Sequence, residues 1–202
     1  MKRDDARTRA LTHRIAALLL EYPTSELVAQ VPDLRAAAPT PAFDPLLDHL
    51  GATPLTALTA EYVDTFDLRR KVCLYLTYYA FGDTRERGMA LLAFKRAYRA
   101  AGLEVSAEEL PDHLCVVLEF SATGDVEAGT RLLLEHRAGL ELLRLALVDR
   151  GSPWAAALTA VCSTLPPLRG DEREAVARLA AQGPPGEQVG LEPYGAMAAA
   201  PR

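Results

Sequence analysis

The side chains best suited to chemistry, four histidines and three cysteines, are scattered along the chain. They are His13, His49, His113, His136, Cys73, Cys115 and Cys162. No histidine lies four residues from another histidine or from a cysteine, and there is no CxxC pair, so the usual spacing of zinc ligands is missing. The sequence also lacks a P-loop, an HExxH zinc motif and a GxSxG nucleophile elbow. We therefore expect a binding protein rather than an enzyme, and the isolated cysteines are typical of a reducing compartment.

Asp112 and His113 stand where a helix is predicted to begin, which leaves two interpretations of the pair. In one, Asp112 stabilises the helix N-terminus, where free backbone N–H groups and the helix dipole favour an acidic residue. In the other, the pair makes polar contacts at the edge of a ligand groove. His136 lies on an apolar helical stripe, so it is expected to be a core or half-buried histidine.

Residues 61–81 gather aromatic side chains in a chain that is only 6% aromatic. The cluster consists of Tyr62, Phe66, Tyr75, Tyr78, Tyr79 and Phe81. Aromatic residues with a polar group suit a surface that binds part of a partner and stays soluble without it. The alternative is a pair of well-packed core helices, with Arg69–Lys71 as a solvated run of charge.

Helical patterns account for nearly the whole chain. The predicted helices cover 6–21, 25–37, 44–50, 54–66, 69–81, 84–101, a segment from about 111 onward, 125–149, 152–165 and 171–181. Pro32 is expected to interrupt the second helix, Gly82 to end the fifth, and Asp83 or Thr84 to cap the sixth. These elements predict an all-α, single-domain bundle of roughly ten helices over 1–181. A tail over 182–202, rich in glycine and proline, is expected to be flexible unless it docks.

Bulk properties exclude several classes of protein. The chain has 202 residues and a formal net charge of −5, and an acidic surface disfavours nucleic acid as the main partner. It suits a cationic partner, but it also suits plain solubility. The apolar run Val72–Phe81 is far shorter than the ~20 residues needed to span a bilayer. With no signal peptide in the sequence, we expect a cytoplasmic protein without direct membrane insertion.

Four segments carry a resemblance to a known family. They are YVDTFDLRRKVCLYLTYYAFGDTRERGMALLAFKRAYRAAG at 62–102, ELPDHLCVVLEFSA at 109–122, LLLEYP at 18–23 and GPPGEQVGLEPYG at 183–195. Together they resemble the nitrate reductase delta-subunit family, the molybdenum-cofactor assembly chaperones related to those of trimethylamine-oxide reductase. The resemblance covers most of the chain.

The resemblance implies a single all-helical domain with no catalytic activity. Such a protein would bind the N-terminal segment of the apo catalytic (alpha) subunit of respiratory nitrate reductase, assist cofactor insertion and delay membrane docking. It would hold no cofactor stably, although it could contact the client's molybdopterin cofactor transiently, and would be a monomer or a weak dimer. The family's Pro-Asp-His motif, near its peptide site, falls on Pro111, Asp112 and His113, whereas Cys115 stands where the family more often has proline.

A client segment of this kind would fold as a basic amphipathic helix and lie in a groove. We expect aromatic residues from 62–81 to line the groove, with acidic side chains such as Asp64 meeting the basic residues. The predicted contacts are Tyr62, Phe66, Asp67, Tyr75, Tyr78, Tyr79, Phe94, Asp112, His113 and Glu119.

Two other functions remain open at this stage. A helical DNA-binding transcriptional regulator would use Arg69–Lys71 and Arg85–Arg87 as phosphate contacts. An all-α enzyme with a buried cofactor would use His136 or His113 as a ligand.

Overall fold

The computed structural model describes residues 2–68, 72–82, 84–106 and 109–182, and within these ranges it is built from α-helices without a β-strand. The helices are α1 (Lys2–Leu19), α2 (Ser25–Ala29), α3 (Val31–Ala37), α4 (Asp44–Ala52), α5 (Leu55–Tyr62), α6 (Tyr78–Phe81), α7 (Arg85–Ala100), α8 (Leu114–Thr123), α9 (Val126–Glu135), α10 (Arg137–Asp149), α11 (Ala155–Ser163) and α12 (Gly170–Gln182). A 3-10 helix, Pro41–Phe43, precedes α4, and a π-helix, Val63–Asp67, continues α5. The all-α class is confirmed, while the predicted tail lies outside the described residues from 183 onward.

The centre of the core is the pair formed by α1 and α8, which make the most extensive helix–helix contact in the described structure. Ile15 and Leu19 of α1, and Val117 and Leu118 of α8, are almost completely buried. A helix that is apolar on most sides belongs in the interior, and α8 has six buried residues among its ten. Burial of each large aliphatic side chain contributes about 1.5–3 kcal/mol.

Gly129 allows α9 to cross α8 at very short range. A Cβ at this position would lie 2.3 Å from Ser121 Cβ and 2.6 Å from Ser121 Cα. Real Cβ atoms do not approach one another this closely, so any side chain here would force the two helices apart. The close crossing fixes α9 on the face of α8 that carries Ser121.

A buried histidine joins α1 to α8 and to the end of α11. His13 Nδ1 lies 2.7 Å from Ser121 Oγ, and His13 Nε2 lies 2.9 Å from Thr164 Oγ1. Burial, with a smaller effect from the positive charge of Arg9, lowers the pKa of His13 to about 4. The neutral imidazole is therefore part of the packed core, a role that the sequence did not distinguish from that of any other histidine.

Two of the predicted helices are divided in the structure. The segment 25–37 breaks at Gln30, with Pro32 in the first turn of α3, which confirms the expected interruption. The prediction of one continuous helix over 125–149 is wrong, because the chain bends at His136 between α9 and α10 (φ −108°, ψ 22°). The His136 ring stacks on Phe94 of α7, with ring centres 5.0 Å apart, so a tertiary contact accompanies the break.

The prediction of a helix over 69–81 is wrong for most of its described length. Residues 72–77 form turns and a single antiparallel bridge between Tyr75 and His113, and α6 begins only at Tyr78. Leu76 N donates to Asp112 O at 3.1 Å, and Leu114 N donates to Leu74 O at 2.7 Å. These bonds satisfy backbone groups that a helix would have paired internally.

The boundaries that follow agree better with the sequence. Gly82 ends α6 with φ 56°, as expected for a glycine at a helix C-terminus. Thr84 is the N-cap residue of α7 but its side chain makes no capping hydrogen bond. Asp83 and Arg69–Lys71 lie outside the described residues.

Candidate functional site

Asp112 is fully buried and ties three elements together. Its Oδ2 accepts hydrogen bonds from Thr77 N at 3.2 Å and from Thr77 Oγ1 at 2.5 Å. Arg87 Nη2 lies 3.5 Å from the same oxygen, and Arg87 Nε donates to Thr77 Oγ1 at 3.1 Å. We call these contacts among Thr77, Arg87 and Asp112 the clasp. No side chain makes a capping hydrogen bond to α8, and the Asp112 carboxylate is buried. A contact between Asp112 and a bound peptide stays a prediction.

His113 and Tyr75 cover the outer side of the clasp. Their rings meet edge to face with centres 5.2 Å apart, and the Arg87 guanidinium lies 5.4 Å from the centre of the Tyr75 ring. Burial lowers the pKa of His113, although the negative charges of Asp112 and Glu109 act in the opposite direction. His113 is therefore partly enclosed by its neighbours.

Most of the predicted groove aromatics lie in the core. Tyr62 donates its hydroxyl to Leu20 O at 2.9 Å, and Tyr62 and Phe66 pack against Trp154 with ring centres 5.8 Å away in each case. Phe94 is fully buried beneath His136. For these residues the structure favours the packed-core interpretation over the lining of an open groove.

The remaining residues of the 62–81 cluster differ in exposure. Tyr79 is buried, and its hydroxyl accepts from Cys73 N and donates to Cys73 O, both at 3.0 Å. Tyr78 is partly exposed and lies edge-on to Tyr79, with ring centres 6.2 Å apart. Asp67 is exposed at the end of the π-helix. The predicted site residues are thus distributed over several regions rather than gathered along one surface.

An open cleft of about 370 Å³ lies elsewhere, between α1, α8 and the stretch that follows α7. Its lining residues are Arg14, Ala17, Leu18, Glu21, Tyr98, Leu103, Glu104, Val105, Ser106, Glu109, Cys115, Val116, Glu119, Phe120 and Thr123. We call this space the cleft. Glu119 is the one predicted site residue among those that line it. Several of the other lining residues lie in the segments that carry the family resemblance, but they come together only when α1 packs on α8.

Four glutamates give the cleft an acidic rim above an apolar floor. Arg14 forms an ion pair with Glu119, so this predicted contact already has a cation beside it. Glu21 and Glu109 have no ion pair among the described residues. Burial raises the pKa of Glu21, a hydrogen bond with Cys115 acts against this, and the charge of Glu109 adds to the rise. The cleft therefore holds two carboxylates, Glu21 and Glu109, that a cationic ligand could neutralise.

Cys115 is buried at the base of the cleft, beside Glu21. Burial is the main cause that raises the pKa of its thiol well above the ordinary range, and the nearby Glu21 carboxylate adds to the effect. The side chain is therefore a neutral thiol that can donate a hydrogen bond to Glu21. A proline at this position would offer no such donor.

The clasp and the cleft are connected through Tyr98. This residue lines the cleft, and its hydroxyl donates to Pro111 O at 2.5 Å. Pro111 immediately precedes Asp112, so the clasp fixes the backbone at the start of α8 and, with it, one wall of the cleft. The Pro-Asp-His motif therefore holds one wall of the cleft in position without lining the cleft itself.

The structure also places some of the residues that the DNA-binding and enzyme hypotheses would use. Arg87 is held in the clasp, with its side chain only 16% exposed, and Arg69–Lys71 lie outside the described residues. Burial lowers the pKa of His136, which stacks on Phe94. Within the described ranges, no three His, Cys, Asp or Glu side chains are grouped to ligate a metal. No helix of these ranges is both long and apolar enough to cross a bilayer.

Comparison with known proteins decides the family. Residues 32–160 match the family model described as the nitrate reductase delta subunit. This chain belongs to that family. The matched range includes the clasp and the α8 wall of the cleft, whereas the α1 wall precedes it. The resemblance found in the sequence is confirmed.

Relatives within the delta-subunit family carry informative names. The chain is 46% identical over 153 residues to the nitrate reductase-like protein NarX of Mycobacterium tuberculosis, a match that covers 74% of this chain and 23% of that protein. It is 31% identical to the probable nitrate reductase molybdenum cofactor assembly chaperone NarJ of Bacillus subtilis, covering 78% of this chain and 89% of that protein. It is also 31% identical to the assembly chaperone NarJ of Escherichia coli K12, covering 70% and 64% respectively. The chain thus spans less than a quarter of the NarX relative, but most of the Bacillus chaperone.

Proposed function

We propose that this protein is a chaperone for the catalytic subunit of a respiratory nitrate reductase. It binds the N-terminal segment of the apo subunit in the cleft and keeps the subunit in a state that accepts the molybdenum cofactor before the complex docks at the membrane. Family membership supports the general role, since the Bacillus and Escherichia relatives are named as nitrate reductase molybdenum cofactor assembly chaperones. The single observation that carries the binding site is the pair Glu21 and Glu109, which line the cleft and have no ion pair with any described residue.

The cleft suits one face of a basic amphipathic helix. Ala17, Leu18, Val116 and Phe120 supply an apolar floor, and recognition of a helix in a groove relies on a few inserted apolar side chains whose register is fixed by polar contacts. A volume of about 370 Å³ accommodates a small number of side chains rather than a whole helix. The client helix therefore lies across the cleft, with basic residues near Glu21 and Glu109.

The chaperone acts by mass action and needs no chemical step of its own. A protein that binds one state of its client stabilises that state by an amount set by its concentration relative to the Kd. By covering the client's leading segment, it delays collapse of the open subunit and its docking at the membrane. Contact with the client's molybdopterin cofactor is transient in this scheme, and the protein works in the cytoplasm as a monomer or a weak dimer.

The first prediction tests the acidic pair. In titration calorimetry with a peptide of the catalytic subunit's N-terminal segment, Glu21→Gln combined with Glu109→Gln should raise the Kd roughly fivefold, since loss of two accessible charge contacts costs about 1 kcal/mol in all. Affinity for wild-type protein should fall as salt rises, and this dependence should be weaker in the double variant.

Glu127 and Glu135 provide a matched control. Both are exposed on α9, outside the cleft, and Glu127→Gln with Glu135→Gln changes the net charge by the same amount. Equal loss of affinity in the two double variants would mean that overall charge attracts the peptide, and the cleft would lose its assignment. Absence of any binding to the wild-type protein would refute the proposed function itself.

A further inference from the structure

A second, smaller pocket adjoins the cleft on the side of α7. It has a volume of about 110 Å³ and is lined by Lys95, Tyr98, Arg99, Leu103, Glu104 and Val105. Tyr98, Leu103, Glu104 and Val105 line both spaces. The two therefore form one continuous surface whose character changes from acidic at Glu21 to basic at Lys95.

The two cations of this pocket are available to a ligand. Lys95 and Arg99 are four residues apart, so they lie on the same face of α7, and both are exposed. Arg99 is 67% exposed and its Nε lies 4.0 Å from Glu104 Oε1, at the outer limit for an ion pair. Exposed pairs of this geometry contribute little to stability, so breaking this one would cost a ligand little.

Between the charged ends lies an apolar patch formed by Leu103 and Val105. Leu103 is 41% exposed although it is a large aliphatic residue, and Val105 beside it is partly exposed. Such side chains on the wall of a groove suit contact with an apolar residue of the ligand. The surface thus presents Glu21 and Glu109 at one end, the apolar patch in between, and Lys95 and Arg99 at the other end, where Glu104 is the only carboxylate that lines the smaller pocket among the described residues.

We propose that the site recognises a segment with a defined order of charge, in which basic residues at Glu21 and Glu109 are followed by apolar residues over Leu103 and an acidic residue at Lys95 and Arg99. This inference rests on the proposed function and extends it, because it specifies the chemistry of the client at both ends of the site. It also gives the bound segment one direction, since a reversed helix would place like charges together at each end. A client helix whose charge is uniformly basic would be repelled by the α7 end.

The direction in which one charge reversal changes the peptide affinity tests the proposal. With the same catalytic-subunit peptide, Lys95→Glu combined with Arg99→Glu should weaken binding about tenfold, because the acidic residue of the client then meets two carboxylates. If the client were recognised only as a cation, the same change would remove repulsion and tighten binding. Unchanged or tighter binding would therefore overturn the proposal.

Arg85 and Arg96 supply the control on the same helix. Both are exposed and neither lines either pocket, so Arg85→Glu with Arg96→Glu makes the same change of net charge on α7. This control should leave the Kd within about twofold of the wild-type value, or lower it slightly, since the peptide is basic. Circular dichroism melting of all variants checks that α7 remains folded.

A substitution in the peptide that restores binding to the charge-reversed variant identifies the peptide residue that contacts Lys95 and Arg99. Each acidic residue of the peptide is changed to lysine in turn. One of these altered peptides should bind the Lys95→Glu/Arg99→Glu variant more tightly than it binds the wild-type protein. If no position shows this inversion, or if the client segment contains no acidic residue, the ordered-charge proposal fails. The acidic pair would still stand in that case, since its own test uses Glu21 and Glu109 alone.

Discussion

The clasp and the cleft both adjoin the start of α8 but use charge in opposite ways. In the clasp, the carboxylate of Asp112 is fully buried and is already engaged by Thr77 and Arg87. In the cleft, Glu21 and Glu109 are accessible and lack a cation among the described residues. A buried, paired charge mainly fixes a conformation, whereas an accessible and unpaired one can attract a partner. The recognisable motif therefore shapes the site, and the less conspicuous residues would contact the client.

The largest expected effect comes from breaking the clasp. Asp112→Ala would leave Thr77 and Arg87 without their buried acceptor, and removal of one member of a buried charged network typically costs about 3–5 kcal/mol. We expect the free energy of unfolding in urea to fall by roughly this amount, with Asp112→Asn falling less because its side-chain oxygen still accepts a hydrogen bond.

The same two variants test whether Asp112 stabilises the fold or belongs to the binding surface. Were Asp112→Ala as stable as the wild type but unable to bind the peptide, Asp112 would belong to the binding surface, as its position in the family motif first suggested. The peptide affinity of Asp112→Asn, measured at a temperature where the variant is fully folded, should stay close to the wild-type value.

Sequence reasoning succeeded where local pattern determines structure. Pro32 and Gly82 act through their own backbone geometry, so the break near Gln30 and the end of α6 were predictable. The helix expected over 69–81 failed because backbone groups at 74–76 bond to residues 112–114, which lie about forty positions away. No periodicity within a short window contains that information.

The candidate site was harder to predict for the same reason. Aromatic residues between 62 and 81 stand out by composition, but Tyr62 and Phe66 are used to fill the core around Trp154. Glu21 and Glu109 lie in two of the segments that carry the family resemblance, but no local pattern indicates that α1 packs against α8 and brings both residues to one cleft. Glu119 is the one predicted contact residue that lines the cleft among the described residues.

A smaller effect is expected in the core that holds the walls of the cleft together. His13 bridges α1 and α8, and its folded pKa of about 4 lies below the ordinary value of 6.5. Between these two pH values the unfolded chain binds a proton that the folded chain does not, so stability falls as the pH drops from about 6.5 toward 4. The loss corresponds to roughly 3 kcal/mol, at 1.36 kcal/mol per pKa unit.

His13→Gln isolates this effect from other groups. His113 and His136 also have lowered pKa values caused by burial, so they add a pH dependence of the same sign to both proteins. The difference in unfolding free energy between wild type and His13→Gln should therefore shrink as the pH is lowered through the window. A difference that stays constant from pH 6.5 to 4 would show that His13 does not remain neutral in the fold.

The smallest expected effect concerns the ion pair within the cleft, which, like the pair in the clasp, joins an arginine to a carboxylate. Arg14 is paired with Glu119 at the rim, with both side chains at least 40% exposed, and so competes with any basic residue of the client for the same carboxylate. Arg14→Gln should release Glu119 and lower the Kd of the basic peptide about twofold to threefold, since an exposed ion pair contributes only ~0.2–1 kcal/mol. Adding Glu119→Gln should abolish this gain. If Arg14→Gln instead weakens binding, Arg14 contacts the client directly, and the cleft must be described as a site of mixed charge along its whole length.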